Sequence, residues 1–318
     1  MNKKVFCMKF TLEDVRSRTY KARDAWWTVF LVDPLAGRLV VAVANRTSIT
    51  PNQITWGAFL LGLGSAGCFL TADPIWLAAG AVLYHLSFVL DCMDGKIARL
   101  KGTGTVLGGW LDYVFDRIRV FGCALALMWG QYQATGQDLY LLLGIGIVFL
   151  DMLRYVDALQ VTKVRRQMRR TIRMAYEAAA PAGSRSPARS PLRDDPDLDL
   201  DTNSDSQEDY VRTAEAVDLQ VEFHSRYAWY IPFRAWLRAH RVRTHLVSGI
   251  EFQMAVFIIG PLLATLSSAM IIAVTIGAAI PLLAFEAAIM YKLWLSSRDF
   301  TRALAEIRGT RPPHMAGA

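Results

Sequence analysis

Residues 74–99 read PIWLAAGAVLYHLSFVLDCMDGKIAR, an uncharged apolar run that stops at Asp91 and gives way to a charged, glycine-bearing stretch. A hydrocarbon core about 30 Å thick takes about 20 apolar residues in helical form. Pro74–Leu90 approaches that length without one Asp, Glu, Lys or Arg. Five further runs meet or approach that length: 53–70, 107–128 (interrupted by acidic residues), 139–156, 246–266 and 269–290. The competing reading is a water-soluble protein with six buried helices, but uncharged runs of this length are rare in soluble cores. The expected fold is therefore all-α and integral to the membrane, with six transmembrane helices. The 53% hydrophobic content of the 318 residues agrees, although composition alone decides little.

The basic residues orient these spans. The short connections Thr71–Asp73, Gly130–Asp138 and Ser267–Ser268 hold no Lys or Arg, whereas Arg46, Lys96, Arg99, Lys101, Arg154, Lys163, Arg165, Arg243 and Lys292 crowd the opposite ends. The positive-inside rule then places both termini and the long central loop in the cytoplasm. The expected location is the cytoplasmic (plasma) membrane, multi-pass, with an active site facing the cytoplasm. The net charge of +7 is read as a topology signal and an attraction to membrane lipids, with no nucleic acid as partner. Cys7, Cys68, Cys92 and Cys123 have neither metal-ligand nor disulfide spacing. No apolar stretch follows the basic Met1–Phe10, so no cleaved signal peptide is expected.

Five segments follow. Residues 1–52 are expected to form cytoplasmic and interfacial N-terminal helices, with Trp26, Trp27, Phe30 and Leu31 at headgroup level after a basic run. Asp33-Pro34 reads as a helix cap followed by a first-turn proline. Residues 53–162 hold the first four spans. Residues 163–245 form a cytoplasmic insertion: a basic helical extension at 163–173, then a Pro/Ser/Arg-rich and acidic stretch at 178–208 whose composition predicts a dispensable disordered linker. An aromatic interfacial segment, 223–236, ends it. Residues 246–292 hold the last two spans and 293–318 a cytoplasmic tail.

The chemistry collects between Asp91 and Asp116. Residues three or four apart share a helix face, so Asp91 and Asp94 project together, as do Asp112 and Asp116 on the next helix. The short connection from Arg99 to Gly108 holds Gly102 and Gly104 and permits a tight reversal, which turns the two carboxylate pairs toward each other. Four carboxylates at a membrane interface are costly without a cation. Oxygen-only ligands suit Mg²⁺, Mn²⁺ or Ca²⁺, and Mg²⁺ at carboxylates commonly receives phosphates. Two ions about 3.5–4 Å apart would clamp a pyrophosphate. Gly95 lets backbone approach such a ligand closely, and Arg99 offers a phosphate-directed fork.

The pattern D-x2-D-G-x2-A-R-x8-G-x3-D-x3-D, filled here by Asp91, Asp94, Gly95, Ala98, Arg99, Gly108, Asp112 and Asp116, resembles the signature of the CDP-alcohol phosphotransferases. Eight fixed residues at background frequency coincide on the order of once in a billion starting points. Thr50-Pro51-Asn52-Gln53-Ile54-Thr55 is similar to the Pro-Asn-x-x-Thr stretch that precedes the first span in that family. The resemblance does not cover the N-terminal segment or the insertion. It implies a transferase that joins a CDP-linked donor to an alcohol or phospho-alcohol acceptor and releases CMP, in phospholipid or related phosphodiester synthesis. It further implies two divalent cations, Mg²⁺ or Mn²⁺, on Asp91, Asp94, Asp112 and Asp116, with Asp116 the catalytic base. Asn52, Thr55, Asp94, Gly95, Ala98, Arg99 and Gly108 would form the nucleotide site, and a homodimer is the assembly it allows. Cytidine itself comes only from the resemblance.

Other polar residues near the membrane carry alternatives. Arg117, Arg154 and Arg243 are candidates for an acceptor site, although Arg154 also stands where it would pair with Asp151. Arg119 and His245 share the expected cytoplasmic mouth, where most of the basic residues would meet lipid headgroups. Glu251 and Glu286 are intramembrane carboxylates and candidates on that ground, unless they satisfy a neighbouring helix. His85 reads as a hydrogen-bonded packing residue. Against the transferase stand a divalent-cation transporter and a non-catalytic membrane scaffold using the same aspartates. Transporter sites lie near the bilayer midplane, often within repeats. Here the aspartates lie at one interface and no repeat is visible.

Overall fold

Asp73, Thr105 and Thr50 set where the three helices carrying the motif begin. Residues 9–179 and 230–309 are described by a computed structural model, and among them the chain is helical. Thr50 caps α3 (Pro51–Phe69) in a reciprocal box with Gln53, with Pro51 in the first turn. The Asp73 side chain accepts from the Ile75 and Trp76 amides at the start of α4 (Pro74–Lys101). Thr105 accepts from Gly108 N and starts α5 (Val106–Thr135). The turn from α4 to α5 is tighter than the sequence suggested. Helix α4 continues through Arg99 to Lys101 and stops at Gly102, whose φ of 64° lies in the left-handed region that glycine accepts without strain.

Before these come α1 (Leu12–Thr19) and α2 (Thr28–Arg46). Hydrogen bonds from the backbone and side chain of Thr11 hold the Asp14 carboxyl of α1 below its ordinary pKa. After them come α6 (Leu139–Ala179), α7 (Tyr230–Ala239), α8 (Gly249–Ala264) and α9 (Ala269–Gly309). The chain divides into two compact units, Met1–Met152 with His240–Leu283, and Leu153–Ala239 with Ala284–Ala318.

In the first unit small residues bring α3, α4 and α5 together. Ser65 Oγ of α3 donates to Gly80 O of α4 at 2.8 Å, and Ser87 Oγ of α4 donates to Ala58 O of α3 at 2.6 Å. Small and hydroxyl residues are the usual glue where lipid removes the hydrophobic drive between helices. Phe69, Tyr84 and Phe257 fill the space beside them, with the Tyr84 and Phe257 rings 4.8 Å apart. The outside of the helices is apolar, as lipid contact requires: Leu60, Ile75, Phe121, Leu142, Ile145 and Phe149 are exposed. In the second unit Ala158 and Val161 of α6 pack on Ile289 of α9, and Ile172 packs on Ile307.

Several expectations change. Four described helices are long and apolar enough to cross a membrane: Thr28–Arg46, Pro74–Lys101, Leu139–Ala175 and Ala269–Ile307. Helix α3 falls short because it opens on Asn52 and Gln53, and α5 because its first half holds Asp112, Asp116, Arg117 and Arg119. Helix α8 is short, with a π-helical turn at Ala255–Ile259. The Asp33-Pro34 boundary is not a cap. Thr28–Val32 is a π-helical turn, Asp33 is itself helical, and its carboxylate pairs with Lys96 at 3.0 Å and Arg241 at 3.3 Å. The basic extension at 163–173 is helical and belongs to α6. Most of the linker expected at 178–208, and the first half of the aromatic segment at 223–236, lie outside the described residues.

A Cβ on Gly130 of α5 would stand 2.5 Å from Phe69 O and 2.8 Å from Leu70 O, both backbone atoms at the end of α3. Overpacking of this kind costs about 1–3 kcal/mol. Gly130→Ala is therefore expected to unfold in detergent at a lower temperature than wild type. Gly122→Ala, with nothing within 4 Å of the added methyl, should unfold with the wild type. Coincident midpoints for both would show that the α3–α5 contact yields freely.

Candidate functional site

Four aspartates from two helices lie within electrostatic reach of one another. Asp91 and Asp94 stand in the last third of α4 and Asp112 and Asp116 in the first half of α5. Each is within electrostatic reach of others from the opposite helix: Asp91 of Asp112 and Asp116, and Asp94 of Asp116. The tight Gly102 turn produces this arrangement, because it sends α5 back along α4 with the i, i+3 and i, i+4 faces turned inward. Asp94 is buried and accepts a 2.5 Å hydrogen bond from Thr55 Oγ1 of α3. Asp112 Oδ1 is buried with no hydrogen-bond partner among the described residues.

Among the described residues no three carboxylates, histidines or cysteines stand close enough to make a ready metal cage. A guanidinium intervenes. Arg119, 3% exposed, pairs with Asp116 one turn away and reaches Asp91 at 3.6 Å. The donor set is nonetheless of the kind a hard divalent cation takes: all oxygen, negatively charged, with an orphaned buried oxygen at Asp112.

The other sequence candidates cluster around this group. Asn52 Oδ1 lies 2.8 Å from where a Cβ on Gly108 would stand, so α3 approaches the start of α5 only because that position is glycine. Gly95 faces the Arg99 guanidinium, with its would-be Cβ 3.6 Å from Nη1. Ala98 O accepts from Thr103 N at 3.0 Å and helps close the turn. Arg99 has a second engagement: its Nε donates to Thr19 O at 3.2 Å and ties α1 to the end of α4. Of these candidates Thr55 touches Asp94, while Asn52 meets Gly108, Arg99 lies over Gly95 and reaches Thr19, and Ala98 closes the turn between the two helices that carry the aspartates.

The acceptor candidates are each held by a carboxylate. Arg117 pairs with Asp151, which also accepts from Gln253 Nε2 at 2.7 Å. Arg243 pairs with Asp24 at 2.9 Å, where residues 24 and 242 form a short bridge. In the second unit Arg154 pairs with Glu286 at 3.0 Å, both buried. Arg119 and Arg243 are both buried, so the lipid headgroups that were one alternative for arginines at this mouth are not what Arg119 meets. Glu251 caps its own helix, accepting from the Ser248 amide at 3.0 Å and the Ser248 hydroxyl at 2.5 Å. His85 packs edge-on to Trp27, and its Nδ1 has no hydrogen-bond partner among the described residues, so the expectation of a hydrogen-bonded histidine does not hold at that nitrogen.

Sequence reading missed the role of Arg119. Its signal was present: it lies three residues beyond Asp116 on the same helical face. The Asp33–Lys96 pair had no such signal, because it joins segments far apart in the chain.

A profile of the CDP-alcohol phosphatidyltransferases matches residues 48–180. The bifunctional IPC transferase and DIPP synthase of Thermococcus kodakarensis is 42% identical over 80 residues, 25% of this chain and 17% of that protein. The phosphatidylinositol phosphate synthase of Corynebacterium glutamicum is 34% identical over 100 residues, 31% of this chain and 42% of that protein. The inner membrane protein YnjF of Escherichia coli is 34% identical over 113 residues, 35% and 53% respectively. The chain thus spans from about a sixth to about half of the length of these relatives. Residues 48–180, which hold the whole stretch from Asp91 to Asp116, match the CDP-alcohol phosphatidyltransferase domain, and these relatives align with part of the chain.

Proposed function

We propose that this chain is a membrane transferase that passes a substituted phosphoryl group from a CDP-linked donor to an alcohol and releases CMP. The observation that carries the reading is the meeting of Asp91, Asp94, Asp112 and Asp116, with the Asp112 oxygen buried and unpartnered. The four would hold two divalent cations, Mg²⁺ or Mn²⁺, in keeping with the family's use of divalent ions. Bound there, such ions supply charge neutralisation for a pyrophosphate and its leaving group.

The remaining work falls to side chains. Asn52, Thr55, Gly95, Ala98, Arg99 and Gly108 are assigned to the nucleotide, a reading supported by the Thr55 contact with Asp94, and the Arg99 Nη groups next to Gly95 would be directed at phosphate. Asp116 is the most exposed of the site carboxylates for which an ion pair is resolved, at 26% against 15% for Asp91. That exposure suits a base that meets the acceptor. Its carboxylate takes the proton of the acceptor hydroxyl as that oxygen attacks the β-phosphorus of the donor. The new P–O bond forms as the bond from that phosphorus to the bridging oxygen breaks, and the bridging oxygen leaves with CMP.

Relatives named as phosphatidylinositol phosphate and archaetidylinositol phosphate synthases favour a phospho-alcohol acceptor and a lipid product. In the first unit we assign the acceptor phosphate to Arg117 and Arg243, each of which would exchange a carboxylate partner for it, while Arg154 of the second unit, paired with Glu286, is an acceptor candidate taken by itself. In the bilayer, α3 and α5 cross beside α4, α6, α8 and α9, which gives six spans. The α2 helix lies at the cytoplasmic interface, a placement supported by the pairing of Asp33 with Lys96 at the motif end of α4. The site then opens to the cytoplasm at the plasma membrane, with residues 1–52, 53–162, 163–245, 246–292 and 293–318 as functional segments.

Purified protein in detergent, offered a panel of CDP-linked donors and acceptors, is expected to release CMP with Mg²⁺ or Mn²⁺. Release should fall to background in excess EDTA and return on adding back the ion; full turnover in the chelator would sink the reading. A second expectation separates the aspartates. Asp116→Asn should lose roughly 10²–10⁴-fold in turnover while keeping CDP affinity near wild type, because general-base catalysis acts at the chemical step. Asp91→Asn should lose CDP affinity as well. Equal falls in CDP affinity would remove the support for a separate base.

A further inference from the structure

Arg119 is built into the aspartate cluster from three helices. Its guanidinium spans Asp116 of α5 and Asp91 of α4. Nη1 also donates to Ser87 Oγ at 3.1 Å, and Ser87 gives its own proton to Ala58 O, so its oxygen is left free to accept. The guanidinium carbon lies 5.7 Å from the centroid of the buried Tyr84 ring. A Cβ on Gly62 of α3 would stand 2.6 Å from Arg119 Cδ, so the path of the side chain depends on that position being glycine. Nε is buried without a hydrogen-bond partner among the described residues. A surface arginine that happened to reach a carboxylate would need none of these fittings.

The charge itself is permanent, since a guanidinium stays protonated in proteins. Buried carboxylates without a counter-charge are strongly destabilising. A divalent ion ligated by the same carboxylates would meet a fixed positive charge beside it and would compete for Asp116 Oδ1, which Arg119 now holds. We propose that Arg119 is a built-in counter-cation: it neutralises Asp91 and Asp116 when no divalent ion is bound, competes with that ion for their oxygens, and so sets how tightly the site takes metal. It is a positioning residue, acting on the reaction through Asp91 and Asp116. The inference rests on the reading of the aspartates as metal ligands.

The test uses the full chain in detergent, with Mn²⁺ as the probe. Free Mn²⁺ is followed by electron paramagnetic resonance, and thermal unfolding is measured in EDTA and in saturating Mn²⁺. Arg119→Met is expected to bind Mn²⁺ about tenfold more tightly than wild type. Its unfolding midpoint should drop in EDTA and approach wild type in Mn²⁺. Adding Asp116→Asn to Arg119→Met should raise the EDTA midpoint again, and should restore folding if the single variant does not fold. Unchanged Mn²⁺ affinity, with the same loss of midpoint in both conditions, would make Arg119 a packing residue and overturn the proposal alone. Failure of the double variant to recover would overturn it likewise. No Mn²⁺ response in any of the proteins would overturn the metal-site reading and the proposal with it.

Discussion

Repulsion among four carboxylates is the constraint to which the rest of the motif region answers. Two like charges 6 Å apart repel by about 3 kcal/mol at an effective dielectric constant of about 20, and burial adds a desolvation cost on each. No fold collects Asp91, Asp94, Asp112 and Asp116 without supplying positive charge. Within the described residues the nearest supply is Arg119, and in the proposed working state it is divalent metal. Thr55 and Asp94 show the same logic on a smaller scale, with a hydroxyl on a neighbouring helix aimed at a buried carboxylate.

Holding those charges takes a stiff frame, and the frame is made by removing side-chain bulk. Gly62, Gly108 and Gly130 each sit where a methyl would strike Arg119, Asn52 or the end of α3. Ser65 and Ser87 pin α3 to α4 through backbone carbonyls. Around the cytoplasmic end of α4, Asp33 takes Lys96 and Arg241, and Arg99 takes Thr19 O. The N-terminal segment therefore grips the helix that carries Asp91 and Asp94. A chain of polar contacts runs onward from Tyr84 through Gln253 and Asp151 to Arg117. With Arg119 over the Tyr84 ring, it links Arg119 to Arg117, the two arginines that follow Asp116 in sequence.

What could be read from sequence was what is local in sequence. The apolar runs 53–70, 74–90, 107–128 and 139–156 fall on the helices found at 51–69, 74–101, 106–135 and 139–179, and the motif spacing put the aspartates on facing surfaces. Glu251 was legible too, since Ser248-x-x-Glu251 is a capping box, but its place in an apolar run drew attention to function instead. Asp33 misled because Asp-Pro is a common helix start, while its true partners, Lys96 and Arg241, come from distant segments. Arg154 is held by Glu286 from the far end of the chain, a pairing that no spacing rule reaches. Arg119 lay between these cases: its link to Asp116 follows from helical spacing, but Ser87, Tyr84 and Gly62 become its surroundings only in three dimensions.

The central claim is that the aspartates from α4 and α5 hold the ions a CDP-linked donor needs. Anomalous scattering from crystals grown with Mn²⁺ and CDP tests it most directly. Two peaks about 3.5–4 Å apart, ligated by Asp91, Asp94, Asp112 and Asp116 with the CDP phosphates against them, are the predicted result. Well-ordered aspartates with no anomalous peak beside them, or CDP bound elsewhere on the chain, would contradict it.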